Sequence, residues 1–285
     1  MSRRIVVVAS MAGAPGVTTC AVALAAAWPV AVDGGVRPVV VEADVSGGDL
    51  MIRFGLPDAP SLLDVASSAG RDQPGSLLGA VSELPCGVRV VASVPGRGAC
   101  RGAVRLLAGE SGRRVLRGDD TDTGTVLLDV GRAGDDTEPL IQDADQVVLV
   151  TRGGPEALTQ VSTCGLDPRA YAGRLTLLVV GPCPYPAGEI ADVLRMPRVV
   201  VWPWDARSVA ALSGAGRMRP RTAGPRARPL MAATDELVRR LTGAQGLAAR
   251  VGGRAQEAQG RGGGPGEAHW SRVGLVEVPG EGSSR

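Results

Sequence analysis

The chain alternates between short apolar runs and stretches with helical spacing. The apolar runs fall at residues 5–9, 39–42, 88–94, 125–129, 146–151, 175–180 and 199–202. They are rich in Val and Leu and carry little polar alternation, the pattern of strands buried on both faces. Between them the spacing predicts helices over 18–27, 61–69, 75–83, 103–116, 138–143, 156–163, 187–194 and 206–212. Strand–helix alternation of this kind predicts an α/β fold, a mostly parallel central sheet with helices on both faces. Ligands of such sheets sit beyond the carboxyl ends of the strands. Polar residues at those ends are therefore the first candidates for chemistry.

After the last strand the pattern weakens. A Pro/Arg linker spans 217–229, and an amphipathic helix is predicted over 230–241, with Leu230, Leu237, Val238 and Leu241 on one side. From Gly243 the chain is Gly-dense and poor in bulky apolar residues. Such a segment buries too little surface to offset its ordering entropy, so disorder is expected. The expected organisation is one folded domain over 1–242 and a Gly-rich tail over 243–285.

Composition narrows the function. Hydrophobic residues make up 44% but aromatics only 2%, so aliphatic side chains must fill the core. The formal net charge of +2 argues against a strongly basic nucleic-acid binder. The chain has no Lys and no Asn; every side-chain cation other than His269 is Arg. Cys20, Cys86, Cys100, Cys164 and Cys183 form no C-x-x-C pair. With a single His, the common zinc spacings are excluded, and small buried thiols in a reducing compartment are expected. No apolar run reaches the ~20 residues that cross a bilayer. The apolar stretch after Arg3-Arg4 breaks at Gly13, Pro15 and Gly16, before a signal-peptide core is complete. The tail has Leu247, Val251 and Trp270 but no sustained apolar stripe, so no stable membrane insertion is expected. These features predict a cytoplasmic protein.

Three pieces at three strand ends carry the candidate chemistry. The first is Gly13-Ala14-Pro15-Gly16-Val17-Thr18-Thr19, a Gly-bearing loop that delivers a strand onto a helix. Its backbone N–H groups can surround a phosphate, and the Thr18 hydroxyl can ligate Mg²⁺. The second is Val39-Val40-Val41-Glu42-Ala43-Asp44, which puts two carboxylates at a strand end, where they can position a water or hold hydrated Mg²⁺. The third is Val126-Leu127-Leu128-Asp129-Val130-Gly131-Arg132. An apolar strand ending in Asp, followed by Gly, presents a carboxylate to a metal and lets the next loop respond to a γ-phosphate.

Taken together, these pieces resemble the MinD/ParA family of P-loop ATPases, which includes relatives from pilus and secretion loci. The resemblance covers about residues 3–242. The family loop, K-G-G-x-G-K-T-T, aligns without a gap on Ala12 to Thr19. The second family motif falls on Glu42-Ala43-Asp44 and the third on Asp129. Further family text is Gly47-Gly48-Asp49-Leu50 and Ala144-Asp145-Gln146-Val147-Val148. The resemblance implies ATP and Mg²⁺ as cofactors. It puts Gly13, Ala14, Pro15, Gly16, Val17, Thr18 and Thr19 around the phosphates. It puts Pro203 and Asp205 near the adenine, and Thr18, Asp44 and Asp129 around the metal, partly through water. It makes Asp44 the switch carboxylate that helps activate water. It also implies an ATP-dependent homodimer, a cargo or adaptor protein as partner, and nonspecific DNA contact through the basic stretch of Arg217, Arg219, Arg221, Arg226 and Arg228.

The departures from the family are as specific as the matches. Its two loop lysines fall on Ala12 and Val17, Pro15 removes a backbone donor, and no Asn exists to read adenine. A lost charged hydrogen bond to phosphate costs about 1.5–3 kcal/mol, roughly 10- to 100-fold in affinity. A lost preorganised charge costs hydrolysis more, on the order of 100- to 1000-fold, by analogy with removing one oxyanion donor. An arginine acting as the cation, Arg132 or one from a partner subunit, is a route to rescue. Two readings follow: a positioning or assembly switch with weak or no ATP hydrolysis, and a pseudo-ATPase adaptor that keeps the fold and partner faces without turnover. A dinucleotide oxidoreductase is disfavoured, since the loop lacks G-x-G-x-x-G and Thr18-Thr19 suits Mg²⁺-phosphate better.

Overall fold

In a computed structural model the described residues are 2–13, 15–71, 76–119, 121–165, 167–171, 173–213 and 229–256. Eight strands form one sheet: β1 (Arg4–Ser10), β2 (Val39–Glu42), β3 (Ser82–Glu83), β4 (Arg89–Val91), β5 (Thr125–Arg132), β6 (Gln146–Arg152), β7 (Leu175–Val180) and β8 (Val199–Trp202). Their order is β3-β4-β2-β5-β1-β6-β7-β8. Every pairing is parallel except β3 with β4. The helices are α1 (Val17–Ala27), α2 (Leu50–Phe54), α3 (Leu62–Ser68), α4 (Arg97–Ala108), α5 (Glu110–Arg117), α6 (Glu138–Asp143), α7 (Pro155–Thr163), α8 (Ala187–Leu194), α9 (Ala206–Leu212) and α10 (Pro229–Gln256).

The period-two alternation of strand side chains sorts the core into two layers. Ile5, Val7 and Ala9 join Val41, Leu128, Leu149 and Leu177 on one face, under α3 to α8. Val6 and Val8 join Val40, Leu127, Val148 and Leu178 on the other, under α1, α9 and α10. Each fully buried aliphatic side chain contributes about 1.5–3 kcal/mol. Many Val and Leu residues therefore do here what a few aromatics do in other cores. The predicted stripe of α10 holds, with Leu230, Leu237, Val238 and Leu241 all buried.

Four details depart from the sequence pattern. In the described part of the helix predicted over 75–83, residues 76–83, only Leu77–Ala80 forms a 3-10 turn, capped by the Ser76 hydroxyl, which accepts from Leu78 N–H at 3.2 Å. The chain then extends as β3, because the i, i+3 pair Leu77 and Ala80 is buried by one tight turn and Pro85 favours extended backbone just before it. The helix predicted over 103–116 is two helices, divided at Gly109, whose extended backbone caps both. The short helix α2 was not signalled by periodicity; it exists because Leu50 and Met51 turn into the core. Helix α10 continues to Gln256, beyond the end of its apolar stripe. The linker arginines Arg217, Arg219, Arg221, Arg226 and Arg228, loop residue Ala14, and residues 257–285 of the tail lie outside the described residues. Among the described residues, no helix is long and apolar enough to cross a membrane.

Candidate functional site

The carboxyl ends of the central strands β1, β2 and β5 hold the loop and the carboxylates that the sequence singles out. Gly16 is the N-cap of α1 with φ +101°, a left-handed conformation that explains glycine there. No side chain caps this helix and its first turn carries no acidic residue. The first-turn N–H groups, from Val17, Thr18 and Thr19, have no intrahelical acceptor and point at whatever lies before the helix. Together with the helix dipole they form an anion-attracting end. The Val17 side chain is 6% exposed and packs in the apolar layer under α1. Its backbone donor faces the loop, but its side chain contributes nothing polar. Pro15 is also buried.

Asp129 lies next to this helix start. It is fully buried, pairs with Val8 across the β1–β5 ladder, and is followed at once by a register shift that puts Gly131 opposite Ala9. A bulge at this point re-aims side chains at the strand end. Asp129 Oδ1 accepts from Gly131 N–H at 3.1 Å, while Oδ2 is buried with no hydrogen-bond partner. Burial raises the pKa of this carboxyl to about 7. The nearby Thr18 hydroxyl and the Gly131 N–H favour its ionised form, and Glu42 and Asp44 oppose it. The Thr18 hydroxyl is close enough to influence the carboxylate without closing a hydrogen bond to Oδ2. A buried carboxylate oxygen left without a donor is costly, and a cation or its bound water removes that cost.

Asp44 stands over the same strand end. Its Oδ1 accepts from Ser46 N–H at 2.7 Å. A Cβ on Gly131 would lie 2.1 Å from Asp44 Oδ2, so this glycine is what lets the carboxylate approach β5. The structure therefore brings together Thr18, Asp44 and Asp129, the three residues expected around Mg²⁺. Among the described residues, no three acidic, Cys or His side chains converge as a self-sufficient metal cage. The oxygen donors present, a hydroxyl and two carboxylates, are of the kind Mg²⁺ takes, its shell being completed by water and phosphate oxygens.

Glu42 plays a different part from the one its position suggests. Its Oε1 accepts from Asp49 N–H (2.8 Å) and Leu50 N–H (3.1 Å), and its Oε2 from Ser93 N–H (3.0 Å). The Ser93 hydroxyl donates back to the Glu42 carbonyl at 2.7 Å. The carboxylate is thus occupied by backbone. It ties the start of α2 and the end of β4 to β2 and is not free to hold water or metal. Burial raises its pKa, partly offset by the three backbone donors.

Two cavities flank the site. One, of about 350 Å³, is lined by Met11, Ala12, Arg132 and Ala133 with residues of α7. The other, of about 440 Å³, lies between Val45-Ser46, Arg101, Arg105 and Arg132. The Arg132 Nε donates to the Met11 carbonyl at 3.2 Å.

Pro203 and Asp205 lie just past the end of β8, three strands from β1, or about 14 Å at 4.8 Å per strand. Asp205 is the N-cap of α9: its carboxylate accepts from Ser208 N–H (3.1 Å) and the Ser208 hydroxyl (2.6 Å). Between the two, Trp204 is 57% exposed, and the Arg152 guanidinium lies 5.0 Å from its ring centroid. The sequence carries no local signal for this cation–π pair or for the Glu42–Ser93 tie. Arg152 ends β6 and Ser93 lies two residues past β4, each far in sequence from its partner.

No protein-family model and no curated protein sequence matches the chain. Solved structures are similar in fold. The cell division ATPase MinD of Pyrococcus furiosus is 21% identical, with 84% of this chain and 99% of that chain covered and a TM-score of 0.60. The septum site-determining protein MinD of Pyrococcus horikoshii, solved with Mg-ADP, is 19% identical over 82% of this chain and 96% of that chain, with a TM-score of 0.58. A ParA family ATPase of Chlorobium tepidum is 15% identical over 83% and 98%, with a TM-score of 0.61. The described chain has the fold of the MinD and ParA ATPases.

Proposed function

We propose that this chain is a MinD/ParA-type protein that binds ATP with Mg²⁺ at the carboxyl ends of β1 and β5. It would act as a switch in chromosome partitioning, septum placement or polar assembly of a pilus or secretion machine. The observation that carries this reading is the partnerless Asp129 Oδ2, buried next to Thr18 and the uncapped start of α1. The N–H groups of residues 17–19 would bind the phosphates. Thr18 and Asp129 would hold Mg²⁺, with Asp44 reaching it through water. Mg²⁺ held by these residues would supply positive charge to offset that of the phosphates. Asp44 would orient the attacking water. Pro203 would lie against the adenine, while Asp205, occupied as a helix cap, would shape that wall. The nucleotide would close a homodimer in the cytoplasm, and a cargo or adaptor protein would read that state. Hydrolysis is expected to be weak or absent, because Ala12 and Val17 stand where the loop would need cations.

The buried, apolar Val17 favours a second reading, an adaptor without turnover. Nucleotide titration and phosphate release for the natural chain and Val17→Lys separate the two. A lysine stem at the first helical position leans back over the loop. The switch reading expects micromolar ATP–Mg²⁺ binding by the natural chain. It also expects binding ~10- to 100-fold tighter and turnover at least ~100-fold faster in Val17→Lys. If neither protein binds nucleotide, the switch reading is wrong and the adaptor stands.

A further inference from the structure

The site gathers negative charge and has no lysine to answer it. Glu42, Asp44 and Asp129 are near enough for the first two to raise the pKa of the third, and the chain contains no Lys. A polyphosphate adds further negative charge. Any compensation from this chain must come from arginine, or from a metal carried in with the ligand.

Three arginines line the two cavities beside the loop: Arg101, Arg105 and Arg132. The first two are already engaged. Both pair through Nε with Asp136, at 2.8 and 2.6 Å. Of the three, Arg132 is the one that lines both cavities, as its neighbour Asp135 also does; it is exposed and forms no ion pair among the described residues. Its backbone ends β5, one residue after Gly131, whose φ of +61° turns the chain there. Its Nε–H donates to the Met11 carbonyl, immediately before Ala12 and Gly13. One donor of the guanidinium thus anchors the group to the loop, and among the described residues the other four N–H bonds, on the terminal nitrogens, have no acceptor. That is a planar fork of the kind that binds phosphate oxygens bidentately.

We infer that Arg132 is the phosphate-binding cation of this site, supplied from the end of β5 rather than from the loop itself. The inference rests on the nucleotide reading above and adds to it the source of the charge. Anchoring through Nε is what separates this arginine from a mobile surface cation. A preorganised fork loses less freedom on binding than a free side chain.

The test measures ATP–Mg²⁺ and inorganic tripolyphosphate binding by calorimetry for the full natural chain, Arg132→Lys and Arg132→Gln. Thermal melting of each without ligand provides the control. The expected result is a ~10- to 100-fold loss of affinity for both ligands in Arg132→Gln. Arg132→Lys should recover part of it, and the three unliganded melting temperatures should agree within a few degrees. A purely structural tie to Met11 would lower melting instead, and would not distinguish Lys from Gln in ligand affinity. If the natural chain binds ATP–Mg²⁺ and Arg132→Gln binds it equally well, the inference is overturned while the nucleotide site stands. If the natural chain binds neither ligand, both fall.

Discussion

Glu42 and Asp129 are neighbours across the β2–β5 ladder and invite direct comparison. Both are acidic residues at strand ends, both are buried, and burial raises the pKa of each. Glu42 receives three backbone N–H bonds that use both of its oxygens. Asp129 receives one, and its second oxygen has none. The first carboxylate is a structural clamp. The second keeps a buried acceptor unfilled, which on the proposed reading a cation or its bound water would fill. A strand-end carboxylate is therefore read as functional from its unfilled acceptors, and not from its position alone.

The largest effect follows from breaking the clamp. Glu42→Ala leaves the Asp49, Leu50 and Ser93 N–H groups without an acceptor inside the protein. It should destabilise the fold by about 3–5 kcal/mol, measured by urea unfolding. Glu42→Gln keeps one acceptor oxygen and should cost about half as much. A change below ~1 kcal/mol in Glu42→Ala would mean that the clamp is dispensable and the contrast with Asp129 is false.

Asp129 should behave in the opposite way when no ligand is present. Its folded pKa of about 7 is raised above the ordinary 3.8, so the fold favours the protonated acid. The associated stability is full below the ordinary pKa and is lost as pH rises through about 7. Asp129→Asn stays neutral throughout. Without Mg²⁺ it should match the natural chain near pH 4 and exceed it at pH 8, by an amount on the order of a few kcal/mol. Glu42, also raised, leaves a slope of the same sign in both proteins. Melting curves across pH 4–8 check this, and a mutant less stable than the natural chain at pH 8 would show that the carboxylate has a hidden partner.

Much of the fold was legible because buried strands announce themselves. Each of the seven apolar runs contains or overlaps a strand of the sheet, and the loop between β1 and α1 follows from Gly13, Gly16 and the helix-forming alanines after them. The eighth strand was hidden. Ser82–Glu83 is two residues long and apolar in neither, so only its pairing with Arg89 and Val90 defines it. Gly109 divides a helix whose apolar periodicity runs straight through it, because periodicity reports which face is buried and not where the backbone bends. Thr18, Asp44 and Asp129 stood out as candidates by their places at element ends, and the structure brings them close together. The occupied state of Glu42 was not legible, since its donors come from residues 7, 8 and 51 positions away. The anchoring of Arg132 on Met11, 121 positions away, was equally beyond any local pattern.

The most direct test of the account is calorimetric titration of ATP into the natural chain and Asp129→Asn, each with Mg²⁺ and with a chelator. The account predicts micromolar binding by the natural chain with Mg²⁺, weakened at least ~10-fold by the chelator. It predicts that Asp129→Asn binds that much more weakly and no longer responds to Mg²⁺. Equal binding by the two proteins in Mg²⁺, or binding by the natural chain that ignores the metal, would contradict it.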